Sequence, residues 1–339
     1  MRDRHERWSR RHFVGGLMLA GTASLLALRP EDVAAEPPPE TTRLRFFKAP
    51  GICLAPQYVA EELLRAEGFT DVQYLTFPKG AGEVTGRLGA GAIDITQWYV
   101  TTFVEEIDKG SPIVFLSGVH AGCQELVATH RVRTVPDLRG KTIAVPWGSP
   151  QTWFIVAILS YVGLDYRKDV RFVEHTMADS VQLLADGKID AVLAAPPIVQ
   201  ELRARKIGHT LLNITTDRPW SQYFCCMVVA NKEFVRKHPV ATKRAVRAIL
   251  KADQMCALEP ERVARSIVDR GFTKSYDYAL QTMKDVPFGR WRQYEAEDTV
   301  RFYALRLHEA GVIKSNPAKI IAQGTDWRFL EELKRELKG

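Results

Sequence analysis

Cysteine is the residue type in this chain best suited to chemistry, because a thiolate can attack an electrophile, bind a soft metal ion or form a disulfide. The 339 residues include five cysteines, at Cys53, Cys123, Cys225, Cys226 and Cys256. No C-x-x-C pair and no cysteine–histidine group has the sequence spacing of a zinc site, so we expect no bound metal ion and no other cofactor. Spacing alone does not assign disulfide pairs among five cysteines.

The adjacent pair Cys225–Cys226 lies in the segment YFCCMVVA, which predicts a β-strand. Neighbouring side chains on a strand point to opposite faces of the sheet. We therefore expect these two cysteines to be small buried residues that do not act together.

The segment TIAVPWGSPQTW, residues 142–153, places a serine at a predicted strand-to-helix turn. Ser149 is a good N-cap residue and Pro150 suits the first helical turn. The free backbone N–H groups at such a helix start can hold an anion or a polar ligand group. Ser149 is therefore either a cap alone or a cap that also contacts a ligand. No G-x-S-x-G motif supports a nucleophilic role, and no catalytic residue is assigned.

An internal repeat, offset by about 95 residues, predicts the elements that position these side chains. Its clearest part is the pattern L-x-x-G-x-I-D, which occurs at 88–94 and again at 184–190. Each copy belongs to a strand–helix–strand–helix–strand series, and such a series predicts a parallel sheet with right-handed crossovers. Asp94 and Asp190 end the two copies. They could contact a ligand, but hydrogen bonding within the turn before the next strand is the favoured interpretation.

The first 35 residues have the layout of a cleaved export signal. Arginines precede an uncharged stretch at 14–28, which is shorter than the ~20 residues of a membrane-spanning helix. Small residues at 33–35 then predict cleavage near Ala35. The segment SRRHF at 9–13 adds a twin-arginine signature. We therefore expect a periplasmic protein.

The charge pattern argues against nucleic acid as a partner. The formal net charge is +7, from 47 Lys and Arg against 40 Asp and Glu. No basic block is interleaved with aromatic residues, as a nucleic-acid surface would require. The length suggests about two domains.

Several longer segments resemble periplasmic solute-binding proteins of the type II class, within the nitrate/sulfonate/taurine-binding group that is often classed with thiamine-pyrimidine-precursor synthases. The resemblance covers nearly the whole chain after the export signal. The segments that carry it are APGICLAPQYVAEELLRAEGF at 49–69, GAIDITQ at 91–97, TVPDLRGKTIAVPWGS at 134–149, ADGKIDAVLAAPP at 185–197 and DRPWSQYFCCMVVANKEF at 217–234.

The resemblance implies an α/β fold with two lobes, each a mostly parallel sheet flanked by helices. Lobe 1 would comprise 43–132 and 236–339, and lobe 2 would comprise 138–230. Helical patterns after Asn231, such as 296–310, predict a C-terminal region that packs on lobe 1.

The resemblance also places a ligand between the lobes, at the loops that follow the strands, where open parallel sheets commonly bind ligands. The implied ligand-binding residues are Cys53, Leu54, Trp98, Cys123, Trp147, Ser149, Gln151, Pro196, Trp220 and Tyr223. Cys53 and Cys123 could pair or line the pocket as free thiols. Three tryptophans in these loops favour an organic ligand with a flat or apolar body. Relatives often carry a different polar residue where this chain has Pro150-Gln151-Thr152, so a simple sulfonate or nitrate should not be assumed.

The function implied is binding without catalysis. A monomeric protein would capture a small organic solute by hinge closure and deliver it to the permease and ATPase subunits of an ABC importer. One alternative is an enzyme of the pyrimidine-precursor-synthase type, which would need a fuller cysteine cluster and a cytosolic location. Another is a sensor subunit built on the same binding fold.

Overall fold

A computed structural model describes residues 36–49, 51–78 and 80–337 of the chain. The predicted export signal lies outside the described residues. In the part from residue 38 onward, ten strands form three sheets. The strands are β1 (Arg43–Phe47), β2 (Asp71–Leu75), β3 (Ile95–Tyr99), β4 (Ile113–Ala121), β5 (Glu125–Ala128), β6 (Thr142–Val145), β7 (Arg171–Glu174), β8 (Ala191–Ala194), β9 (His209–Asn213) and β10 (Phe224–Asn231).

The sheets combine parallel crossovers with antiparallel strands, and the predicted α/β class is confirmed. Strands β1 and β2 form a parallel pair. Strand β10 runs antiparallel between β3 and β4. The third sheet has the order β7-β6-β8-β5-β9, in which β6 is parallel to β7 and β8, whereas β5 is antiparallel to β8 and β9.

Helices surround these sheets. They are α1 (Ala55–Val59), α2 (Glu61–Ala66), α3 (Val84–Gly89), α4 (Val100–Asp108), α5 (Pro150–Tyr161), α6 (Met177–Ala185), α7 (Ile198–Ala204), α8 (Lys232–Lys237), α9 (Pro239–Leu258), α10 (Pro260–Asp269), α11 (Tyr276–Asp285), α12 (Ala296–Glu309), α13 (Pro317–Gly324) and α14 (Arg328–Glu336). No helix among the described residues is both long and apolar enough to cross a bilayer.

The C-terminal helices pack largely on the strands and helices of the first half. Helix α9 contacts α1, α2 and β4, whereas α13 contacts α4 and β4. Helix α12 differs, because it contacts both α4, which follows β3, and α5, which follows β6. Strand β5 pairs within the third sheet, although residues 43–132 were predicted to be part of lobe 1. That predicted boundary therefore does not follow the sheets, because the pairing partners of so short a strand cannot be read from local residue patterns.

The internal repeat has a direct structural counterpart in two aspartates. The Asp94 carboxylate accepts the Arg45 backbone N–H at 2.8 Å, and the Asp190 carboxylate accepts the Thr142 backbone N–H at 2.9 Å. In return, the backbone N–H groups of Asp94 and Asp190 donate to the carbonyls of Arg45 and Thr142. Each aspartate thus joins the turn before one strand to the neighbouring strand, as the favoured interpretation expected.

The buried Gln57 amide joins β1 to β3, which share no ladder of their own. Its Nε2 donates to the Phe47 carbonyl at 2.9 Å, and its Oε1 accepts from the Gln97 backbone N–H at 2.8 Å and from the Thr96 hydroxyl at 2.9 Å. The carboxyl ends of β1 and β3 are therefore held side by side.

We predict that Asp94→Ala and Asp190→Ala each lower the free energy of unfolding by about 1–3 kcal/mol, because each leaves a partly buried strand N–H without an acceptor. The loss should be larger for Asp94, which also binds the Arg45 guanidinium at 2.6 Å. Urea unfolding measures both. Replacement of the exposed Asp298 by alanine is the control. If Asp94→Ala lowers the free energy of unfolding no more than Asp298→Ala does, the structural role given to Asp94 is contradicted.

Candidate functional site

Five side chains from separate segments converge at the carboxyl ends of β1, β3 and β4, and we call them the thiol–imidazole cluster. All five are buried. The members are Cys53, His120, Cys123, Cys225 and Cys226. One donor atom from each of Cys53, His120, Cys123 and Cys226 lies within 4.8 Å of the other three. Sequence spacing did not predict this group, because its members come from three distant parts of the chain.

Cys53 lies in a short 3₁₀ turn, Ile52–Leu54, that follows β1. Its backbone carbonyl faces the Gln97 Nε2 at 3.0 Å and the His120 Nε2 at 3.1 Å. Its Sγ lies 3.3 Å from the Tyr99 hydroxyl. The turn after β1 is thereby fixed against the ends of β3 and β4.

Cys123 is held by an unusual backbone conformation just beyond β4. Its φ is 105°, which is uncommon for a residue with a side chain. Its N–H donates to the Thr215 hydroxyl at 3.0 Å. The preceding Gly122 has φ 67°, and a Cβ there would come within 2.4 Å of Thr215, so this close approach requires glycine.

The prediction that Cys225 and Cys226 cannot act together is wrong. Bulges in the pairing of β10 with β4, on both sides of Cys226, break the simple alternation of side chains. The Cys225 Sγ consequently lies 3.3 Å from the Cys123 Sγ, while Cys226 joins the four-residue group. Both are buried, as expected, and all five cysteines are free thiols. The predicted Cys53–Cys123 disulfide alternative is therefore not formed in this structure.

The thiols of the cluster differ in the direction in which their pKa values are shifted. Hydrogen bonds from Cys123 and Cys226, aided by His120, lower the pKa of Cys53 although burial opposes this. Burial also raises the pKa of Cys225, but hydrogen bonds from Cys123 and Cys226 outweigh it and bring the value to about 5. Burial raises the pKa values of Cys123 and Cys226 above the ordinary value.

The neighbouring thiols favour the charged form of His120. Burial lowers the pKa of His120, but hydrogen bonding to Cys53 and the charges of Cys53 and Cys225 more than compensate and raise it. The His120 ring also contacts Phe288 edge-on. The arrangement resembles a thiolate–imidazolium pair enclosed in an apolar core.

The predicted site residues fall into three separate places. Cys53, Leu54 and Cys123 lie in or beside the cluster, and Trp98 packs on Phe47 and Tyr99 next to it. Trp220 and Tyr223 instead pack against Phe302 of α12. Trp220 is 2% exposed, and its role in ligand binding stays a prediction.

Trp147 lies apart from these groups. Its ring contacts Trp153 and Phe172 and is 49% exposed. Pro196 is buried, and Gln151 is partly buried in the first turn of α5. No contact joins Trp147 to the cluster among the described residues, and its role in ligand binding stays a prediction.

Ser149 occupies the N-cap position of α5, as the sequence predicted, but its hydroxyl makes no capping hydrogen bond. The Ser149 Oγ is buried and has no partner among the described residues, and the same holds for the Thr101 and Thr102 hydroxyls in the first turn of α4. The Trp98 Nε1 is a fourth such atom. Both threonines are absent from the predicted site residues, although their position directly after a strand could have identified them.

A crevice of about 260 Å³ lies beside the cluster. It is lined by residues from three parts of the chain, 123–125, 196–216 and 285–286. Cys123 and Pro196 contribute to it, as do Gln200 and Thr215. The Arg203 guanidinium lies between two carboxylates at one side, binding Glu125 and reaching Asp285 at 2.7 Å. Its lining combines charged, polar and apolar groups, as small-molecule sites do.

We predict that Asp253, a buried residue of α9, makes the free energy of unfolding depend on pH. Burial raises its pKa to about 7, although the His120 charge and a hydrogen bond from the Gly289 N–H lower it. Since the unfolded pKa is lower, the folded state holds an extra proton between about pH 4 and pH 7. Stability is therefore lost as pH rises through that window.

Asp253→Asn should remove this loss, because asparagine does not ionise. The variant should become more stable than the unsubstituted protein as pH rises from about 4 to 7, by on the order of 1 kcal/mol per pH unit. Denaturant unfolding at several pH values measures the difference, with Asp298→Asn as control. Parallel pH curves for Asp253→Asn and the unsubstituted protein would contradict the prediction.

Two proteins with sequences similar to this chain are binding proteins. A putative binding protein of Brucella abortus is 24% identical over 57% of this chain and 59% of its own length. The taurine-binding periplasmic protein of Escherichia coli is 26% identical over 60% of this chain and 62% of its own length. Both matches thus span about three fifths of the relative.

The fold is shared with the periplasmic nitrate-binding protein NrtA from Synechocystis PCC 6803. The TM-score is 0.70 at 15% identity, covering 89% of this chain and 90% of that one. The predicted type II periplasmic binding fold is confirmed. A model of the NMT1-like family matches residues 36–269, which is more than half of the sequence. The chain belongs to the NMT1-like family.

Proposed function

We propose that this protein is the extracytoplasmic solute-binding component of an ABC importer. It captures a small organic solute between its two halves, closes by a hinge motion, and delivers the solute to permease and ATPase subunits at the membrane. The observation that carries this proposal is the set of buried hydroxyls without partners at the starts of α4 and α5: Thr101, Thr102 and Ser149. Family membership and the taurine- and nitrate-binding relatives support it.

The two helix starts have related positions. Helix α4 begins directly after β3, with Tyr99 as its N-cap, and α5 begins a few residues after β6. The helices contact each other, and the Tyr99 ring meets Phe154 of α5 edge-on. One solute could therefore reach polar groups on both halves, and the free N–H groups of helix starts favour an anionic or polar end.

The remaining surroundings favour a solute with an apolar or flat body. Trp98 adds an indole N–H without a partner, and its ring packs edge-on against Phe47 and Tyr99. A buried polar group left unpaired costs about 1–3 kcal/mol, so a ligand that pairs these groups gains affinity. Sulfonates, taurine-like compounds and aromatic acids combine the required features.

We predict that the double variant Thr101→Val/Thr102→Val weakens solute binding at least tenfold without lowering the melting temperature of the ligand-free protein. The valines replace hydroxyls that have no partner, so the empty protein loses no hydrogen bond. Thermal-shift screening against sulfonates, taurine, nitrate and aromatic acids identifies a ligand, because 100 times the dissociation constant adds ~2.7 kcal/mol of stability. Calorimetry then compares the variants.

Thr129→Val is the matched control for that experiment. The Thr129 hydroxyl is also buried without a partner, but its N–H donates to the Asp190 carbonyl at the opposite edge of the third sheet. Unchanged affinity in the double variant would place the solute elsewhere.

Export by the twin-arginine route, with cleavage near Ala35, belongs to the same proposal. Arg10→Lys with Arg11→Lys should trap the precursor in the cytoplasm, because that route reads the arginine pair. Fractionation of cells expressing the tagged protein measures this, and substitution of Arg2 and Arg4 by lysine serves as control. Normal export of the Arg10/Arg11 variant would exclude this route.

A further inference from the structure

We propose that Cys53, His120, Cys123 and Cys226 form a tetrahedral zinc site. Their four donor atoms lie within 4.8 Å of one another, and all four residues are buried. The zinc site would be independent of solute binding, because its four protein ligands would fill the coordination sphere of the ion.

The donor set matches the chemistry of Zn²⁺. Three thiolates and one imidazole make a Cys₃His set, which is typical of structural zinc. With Zn–S bonds of about 2.3 Å, sulfur atoms in a tetrahedron lie about 3.8 Å apart. The longest separation in the cluster therefore needs to shorten by only about 1 Å. Four protein ligands leave no open position, so such an ion would stabilise the fold and would not act as a catalyst.

The surroundings supply the outer contacts that a zinc ligand set needs. The two ring nitrogens of His120 lie 3.1 Å from the Cys53 carbonyl and 3.2 Å from the Ala121 carbonyl. When one nitrogen binds the metal, the other can donate to its carbonyl, which is the usual support for a histidine ligand. The Tyr99 hydroxyl, 3.3 Å from the Cys53 Sγ, can donate to a metal-bound thiolate.

The strand register explains why Cys226 is the third thiolate. Cys226 pairs with Tyr99 on β3 and with His120 on β4, so it lies between the two strands whose ends carry the other groups. The ion would connect the turn after β1, the end of β4 and the start of β10. Cys225 lies outside the four-atom set, but its Sγ is 3.3 Å from that of Cys123. Thiol–disulfide exchange with a disulfide oxidoreductase, whose own disulfide would be reduced to two thiols, would join Cys123 to Cys225 and remove one ligand.

The test is a cobalt titration of the exported full chain after reduction and chelator treatment. One Co²⁺ per chain should bind with the visible bands of tetrahedral cobalt and a thiolate charge-transfer band, and Zn²⁺ should abolish both. Zinc should also raise the melting temperature. Cys226→Ser and His120→Asn should each lower metal affinity by more than the ~10–100-fold that is typical when a residue hydrogen-bonded to a metal ligand is replaced. Cys256→Ser should bind normally, because this buried cysteine lies outside the cluster.

A measurement on the unsubstituted protein keeps the proposal testable if those variants fail to fold. Zinc should protect Cys53, Cys123 and Cys226 from alkylation under mildly unfolding conditions more strongly than Cys256, which would gain only the general stabilisation of the fold, as peptide mapping would show. Reduced protein that gives no tetrahedral cobalt spectrum would overturn the proposal. So would a Cys123–Cys225 disulfide in protein isolated directly from its export compartment.

Discussion

The fold depends on a carboxylate placed twice at the same point of a repeated unit. Asp94 and Asp190 each accept a backbone N–H from a neighbouring strand and return a backbone hydrogen bond to the same residue. Asp94 lies just before β3 and Asp190 just before β8, so each fixes the start of its strand against β1 or β6. The loops at the opposite edge, where these strands end, need not make such hydrogen bonds to a neighbouring strand.

The two edges differ in how their polar groups are paired. At the edge with the aspartates, both carboxylates are paired across the turn, although the Thr129 hydroxyl there has no partner among the described residues. At the carboxyl edge, the hydroxyls of Thr101, Thr102 and Ser149 have no partner among the described residues, and Cys123 adopts a positive φ. Such features lower stability, and they persist where the surrounding structure over-determines them. Gln57 and the Thr215 hydroxyl provide this constraint by fixing the loops from outside the site.

Local patterns predicted the repeated units well but not the residues that meet between them. The L-x-x-G-x-I-D pattern identified both aspartate turns because it recurs in each repeated unit, although the hydrogen-bond partner of each aspartate lies 48 or 49 residues earlier in the chain. The thiol–imidazole cluster could not be predicted in this way, since it joins residues 53, 120–123 and 225–226 and depends on bulges in β10. The packing of Trp220 and Tyr223 could not be predicted for a related reason, because both rings contact Phe302 of α12, far along the chain.

The cluster is also difficult to explain as ordinary core packing. Small apolar side chains would fill the same volume without ionisable groups, whereas this core encloses His120 and four thiols, with Asp253 near enough to influence His120. Burying charge is costly unless it is paired. Within the cluster, Cys53 and Cys225 raise the pKa of His120, and His120 lowers the pKa values of both thiols, so the groups favour opposite charges on one another. A divalent cation among three of these sulfurs would compensate more of the negative charge than one imidazolium does, and it would stiffen the end of β4 and the start of β10, which lie beside the proposed solute site.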